Sequence, residues 1–428
     1  MAERGAVERG ARAAGRGARF STGSALCAAV VLLSAFAVVR HLHGFSMVDM
    51  LVYRAEGEAV ADGRDLYAMR LPGWDLAATY PPFAAMLFVP AGWFDVSLLR
   101  VLVTLANVGL LALLVHLSFK LVGWPRRVDR PAALLLATGA GVFLEPVYTT
   151  FQYGQINLLV ACLVLWDLTR VDGHRLKGLG IGLAMGIKLT PGVFAVYLLL
   201  TGRIRAALVS GGVFASTVLL GGAVLPGDSY GFWTEHLWDS RRVGVTELVD
   251  NQSVRGMVAR LLSTNQPGLT GLAAGALTAL AGFAVAVLAA RSTRVLRRAE
   301  AWGVVSVALT GVLISPISWS HHWVWCVPLL VLLGAEAAQE SARALPWRAR
   351  RWGWVLGATA LVFFSHTLWV VPKRSGLGIE PWWQLPASPY PLLGLAVLGV
   401  TAVRLHRRLR RPAGPSATPA VPVLTEQS

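Results

Sequence analysis

Residues 269–290 carry no charged side chain. As a helix rising 1.5 Å per residue, that stretch is long enough to cross the roughly 30 Å hydrocarbon core of a bilayer. Further apolar runs occupy residues 21–39, 96–122, 131–147, 156–168, 176–187, 191–201, 206–225, 302–316, 323–338, 352–371 and 391–403. Together they predict about twelve spans and an all-α polytopic membrane protein. Several runs are short, which is tolerated where a helix lines a cavity instead of facing lipid. Residues 82–94 are apolar but short and rich in Pro and Gly, and read as an interfacial or re-entrant helix.

Only 14% of the 428 residues are charged, against about a quarter in soluble domains. The net charge of +16 does not point to nucleic acid, because the arginines cluster in short segments between apolar runs. With the N-terminus placed in the cytoplasm and sides alternating, about two thirds of the 39 Lys and Arg fall inside, while the acids lean outward. Both termini are therefore expected in the cytoplasm of a plasma-membrane protein. A disordered arm is expected over residues 1–20, a membrane domain over 21–405 and a disordered tail over 406–428. A cleaved signal peptide is the rival reading of the first run, but the run is long and no A-x-A site ends it. Cys27, Cys162 and Cys326 lie in apolar runs without metal-ligand spacing and read as packing residues.

This topology gathers the polar motifs on the outer side. Asp49 follows the first run almost at once, and Glu56, Glu58, Asp62, Asp65 and Asp75 come after it, closing on Tyr80-Pro81-Pro82-Phe83. Gln152, Gln155 and Asn157 lie in the second outer turn, Lys188-Leu189-Thr190-Pro191 at the outer end of two short runs, and Asn251-Gln252-Ser253 with Arg255 in a long outer loop. Ser318-Trp319-Ser320-His321-His322-Trp323 is the last such turn. Convergence of these groups at one depth is what an active site at a membrane surface requires. Each also has a plainer reading. Asp49 fits a solvated loop acid, Lys188 a residue snorkelling to lipid phosphates, and Trp319 an interfacial belt. Adjacent histidines diverge on a helix, so His321 and His322 do not make a metal pair, and no metal or cofactor is expected.

Taken in order, these motifs resemble glycosyltransferase family 87, the polyprenyl-phosphate-mannose-dependent α-1,2-mannosyltransferases of actinobacterial envelope synthesis. The resemblance rests on Asp49 with Tyr53, Gly63-Arg64-Asp65-Leu66-Tyr67, Tyr80-Pro81-Pro82-Phe83, Gly154-Gln155-Ile156-Asn157, Ile187-Lys188-Leu189-Thr190-Pro191, Asn251-Gln252-Ser253 and Ser315 through His322. It implies a GT-C-type multi-span bundle whose first outer loop carries the catalytic base, here Asp49. It further implies a polyprenyl-phosphate-sugar donor and a glycolipid or lipoglycan acceptor. Lys188, Arg255, His321 and His322 are the candidates for the donor phosphate. Tyr53, Tyr80, Gln155, Asn157, Asn251, Gln252 and Trp319 are those for sugar and acceptor hydroxyls. Another lipid-linked sugar, such as an arabinofuranosyl donor, fits the same motifs, and a lipid or solute transporter is the reading from another class. A transporter predicts two similar halves and a charged site near the midplane, neither of which the sequence displays.

Overall fold

The computed structural model describes residues 21–341, 346–372 and 374–410. The expected N-terminal arm and the tail from residue 411 lie outside them. Helix α1 (Thr22–His43) starts on a Ser21 cap and ends on a left-handed Gly44. Next come α2 (Val48–Ala61), a two-residue antiparallel hairpin of β1 (Arg70–Leu71) and β2 (Leu76–Ala77), and the short α3 (Pro82–Phe88). The long α4 (Val96–Val122), capped by the Asp95 carboxylate, returns across the molecule. The bent pair α5 (Arg130–Gly141) and α6 (Glu145–Tyr153) follows, kinked by 67°.

Three short apolar helices pack next: α7 (Asn157–Leu168), α8 (Leu179–Ile187) and α9 (Gly192–Leu200). The buried Asp167 carboxylate accepts from the N–H groups of Gly178 and Ile181, supplying the cap that α8 lacks in its own sequence. The chain continues through α10 (Ile204–Val224), α11 (Pro226–Thr234) and α12 (Val254–Leu261). It ends with α13 (Gly268–Arg291), α14 (Ala299–Ile314), α15 (Cys326–Ser341), α16 (Pro346–Phe364) and α17 (Pro389–Leu409). Helix α17 runs past residue 405, to Leu409.

Each of the expected runs is helical, and the fold is an all-α polytopic membrane protein. The sequence leads one to expect about twelve spans, several of them short. Among the described residues five helices are long and apolar enough to cross a bilayer, or six if the bent pair counts as one. The shorter ones are stabilised by burial against protein. Helix α14 is buried over most of its length, whereas α1, α10 and α13 expose large apolar side chains such as Val31, Leu208 and Leu280, as lipid-facing helices do. Residues 82–94 form α3 and a 3₁₀ turn (Val89–Trp93), in keeping with a short non-spanning helix.

Candidate active site

The polar motifs converge because each sits where a helix breaks. Asp49 is in the first turn of α2, where a carboxylate complements the helix dipole. The turn into α2 is pinned by Met47, which takes a left-handed conformation (φ 49°) and donates its N–H to the Gln152 carbonyl at 2.9 Å. Between α6 and α7 the chain turns at Gly154 (φ 70°), and a Cβ there would lie 2.6 Å from the Met50 Cβ. Only glycine allows this turn to lie flat against α2. The contact sets the Gln155 amide directly on the Asp49 carboxylate.

A chain of neutral groups leads inward from that amide. The Tyr53 hydroxyl donates to Gln155 Oε1 at 2.9 Å and lies 2.9 Å from the Tyr80 hydroxyl. Asn157 donates to Gln155 Oε1 at 3.4 Å and to the His321 carbonyl at 3.1 Å. Lys188 stands in the extended break between α8 and α9, donating to Asn157 Oδ1 at 3.0 Å. It also lies 3.1 Å from His322 Nε2. An ammonium only donates, so Nε2 accepts and the His322 ring is neutral with its proton on Nδ1.

These groups border a cavity of about 500 Å³, lined by Asp49, Tyr53, Tyr80, Gln155, Lys188, Trp319, His321 and His322 among others. Both ring nitrogens of His321 are buried beside it without a partner. Burial raises the Asp49 carboxyl to about 6, opposed by the Gln155 hydrogen bond and the Lys188 charge. Burial also lowers the Lys188 ammonium to about 8, opposed by Asp49. Among the described residues no three His, Cys, Asp or Glu side chains gather as metal ligands would.

Four sequence assignments move. Asn251 is fully buried, with its amide committed to the Thr246 and Pro316 carbonyls and to the N–H groups of Ser253 and Ser318. Gln252 donates to the Val249 and Ala387 carbonyls and accepts from Tyr390 N–H. Neither has a free group for a sugar; both brace the turn that carries the histidines. Arg255 lies on α12, does not line the cavity, and packs its stem beside Gly271. Asn157 is buried behind the cavity wall, holding Lys188.

The structure also adds residues. Glu56 follows Asp49 and Tyr53 at helical spacing, on the same face of α2. It is fully buried, and burial together with the Asp49 charge pushes its carboxyl up to about 8. The spacing of four and seven was readable, but the stretch reads as a loop from composition. Arg242 and His236 reach the cavity from the long loop between α11 and α12 and carry no sequence signal.

An apolar helical bundle with a free carboxylate, an ammonium and two imidazoles around one cavity is built as a membrane enzyme of the group-transfer kind. The sequence model of glycosyltransferase family 87 matches residues 78–316. A polyprenol-phosphate-mannose-dependent α-(1-2)-phosphatidylinositol mannoside mannosyltransferase of Mycobacterium tuberculosis is 33% identical over 389 residues, covering 85% of this chain and 86% of its own. A phosphatidylinositol pentamannoside mannosyltransferase of the same organism is 35% identical, covering 86% and 84%. A mannosyltransferase of Mycolicibacterium smegmatis is 32% identical, covering 82% and 83%. No solved structure matches. The chain belongs to glycosyltransferase family 87 and is a glycosyltransferase. Asp49 and Tyr53 precede the matched segment and His321 and His322 follow it, so the placement of these four rests on the geometry above.

Proposed function

We propose that the protein moves mannose from a polyprenyl-phosphate-mannose donor to a hydroxyl of a mannosylated glycolipid, at the outer face of the plasma membrane. The product is an α-1,2 linkage formed with inversion. The observation that carries this reading is the pairing of Asp49 and Lys188 across one cavity, held apart by the Gln155 and Asn157 amides. The names of the relatives support the donor and the acceptor class.

Asp49 takes the proton of the acceptor hydroxyl as it attacks the anomeric carbon. The sugar passes through an oxocarbenium-like state, which the nearby carboxylate stabilises. The leaving phosphate gains charge, met by Lys188 and by hydrogen bonds from the His321 or His322 ring. A β-linked donor and an α-linked product need a single displacement, so one base suffices.

The outer placement follows from the charge bias, and the side-chain pairing is consistent with it. Arg203 pairs with Glu300, Lys177 with Asp172, and Arg298 and Arg404 with Glu336, all assigned to the inner side. Arg374 pairs with Asp250, and Arg242 donates to Tyr67 and Ala78 carbonyls, all assigned outside. The test is purified protein given labelled polyprenyl-phosphate-mannose and a phosphatidylinositol mannoside, with the product linkage read by glycosidase digestion. A labelled α-1,2-mannosylated lipid is expected; no product with a stable, folded enzyme overturns the reading.

A further inference from the structure

Arg40 lies in the last turn of α1 and Arg100 in the second turn of α4. Their guanidinium groups meet at one dipeptide. Arg40 donates to the Met47 thioether at 3.5 Å, and Arg100 to the Ser46 carbonyl at 3.3 Å. A thioether is a weak acceptor. Both Nε groups are buried without a partner, and among the described residues neither arginine makes an ion pair. The charge acting on Arg40 is that of Arg100, a second cation. Arg100 also sits at the positive end of its helix. Two half-buried cations held together against their mutual repulsion, with unmet donors, ask for an anion.

The surroundings say which kind. On α1, Val38 and Leu42 are exposed, as are Leu98, Val101 and Leu105 on α4. Exposed Trp93 lies just before α4, the position of an interfacial anchor. An anion here stands where hydrocarbon gives way to headgroups. The planar fork of arginine matches phosphate oxygens in pairs.

We propose that Arg40 and Arg100 bind the phosphodiester of an anionic membrane lipid, whose chains lie along α1 and α4. The site is separate from Lys188 and from the cavity lining. The bound phosphate satisfies both arginines and so steadies Ser46-Met47, the link that leads into the Asp49 helix.

The test titrates the full-length protein, in a neutral maltoside detergent, with short-chain phosphatidylglycerol while following thermal unfolding. The wild type is expected to show a saturable rise in midpoint, and phosphatidylcholine is expected to give none. The Arg40→Gln/Arg100→Gln variant should bind about tenfold more weakly or worse, the loss of one charged hydrogen bond. Arg255→Gln should bind as the wild type does. If the double Gln variant does not fold, Arg40→Lys/Arg100→Lys keeps the charge and loses the fork, and should still weaken binding. Unchanged affinity in the folded double variant, or an equal rise with phosphatidylcholine, overturns the site. An equal rise with inorganic phosphate overturns its assignment to a lipid.

Discussion

The two ends of the bundle treat buried charge in opposite ways. At the end away from the cavity, Glu336 is 3% exposed and lies between Arg298 and Arg404, while Arg203 holds Glu300 at 2.5 Å. Each of these charges is neutralised by direct contact. At the cavity end, Asp49 and Lys188 touch only amides and an imidazole. Direct pairing keeps charges satisfied and makes them structural. Separation by neutral groups leaves a base that still accepts a proton and a cation that still meets an anion. The difference is one of availability more than of charge, and substitutions can break it at either end.

The largest effect is expected at Asp49. An asparagine keeps the shape but cannot take a proton, so Asp49→Asn should slow transfer by about 10²–10⁴-fold with donor lipid still bound. Retention of more than about a tenth of the rate in a transferase assay would remove Asp49 as the base. With its carboxyl raised to about 6, the wild-type rate should fall about tenfold per pH unit below that value and level off above it. The same shift predicts a stability cost. A carboxyl raised on folding favours the native state at low pH and loses that contribution as pH rises through 6. Asp49→Asn should therefore raise the thermal midpoint at pH 8 and change it little at pH 4.

At the opposite end, Glu336→Gln leaves two arginines facing an amide and should cost about 3–5 kcal/mol of stability. Turnover per folded molecule should stay within about twofold, a ratio that distinguishes a structural charge from an available one. Lys188→Ala should raise the barrier for donor use by about 1–3 kcal/mol, read as kcat/KM for the donor. Equal kinetics in a folded variant would make Lys188 a structural residue like those at the other end. Smaller still is Glu56→Gln, because a carboxyl raised to about 8 is already neutral at pH 7. It should change unfolding little at pH 4 and raise the midpoint increasingly from there to pH 8 and above, as the unfolded chain and then the buried native carboxyl ionise. Glu58, in a part-exposed pair with Arg54 at 2.7 Å, is the solvated control, and its amide should cost about 0.3–0.5 kcal/mol.

Most of the fold was legible because lipid permits few solutions: each apolar run became a helix. What the runs could not show is how many cross the bilayer alone, since α8 takes its cap from Asp167 and both α8 and α9 pack against neighbouring helices. The cavity residues Asp49, Tyr53, Tyr80, Gln155, Lys188, His321 and His322 were readable as polar exceptions in an apolar chain. Asn251 and Gln252 stand out in sequence for the same reason, and their amides bond to backbone carbonyls. A buried amide looks alike in sequence whether it faces a substrate or a backbone carbonyl, and only the partners decide. Glu56 was taken as a loop acid because a polar helix outside the apolar runs gives no hydropathy signal. Arg242 was missed because loop closure, not periodicity, brings it to the cavity.

The Asp49–Gln155 contact joins residues 106 apart, and the link from Lys188 to His322 spans 134 more. Synthesis follows that order. The carboxylate emerges with the first helical hairpin, the amide much later, and the imidazoles after three quarters of the chain is made. The nascent protein thus holds an acid whose partners are made one after another. Burial raises that carboxyl as the fold closes, and the Gln155 amide and the Lys188 charge, arriving in turn, draw it back toward the ionised form.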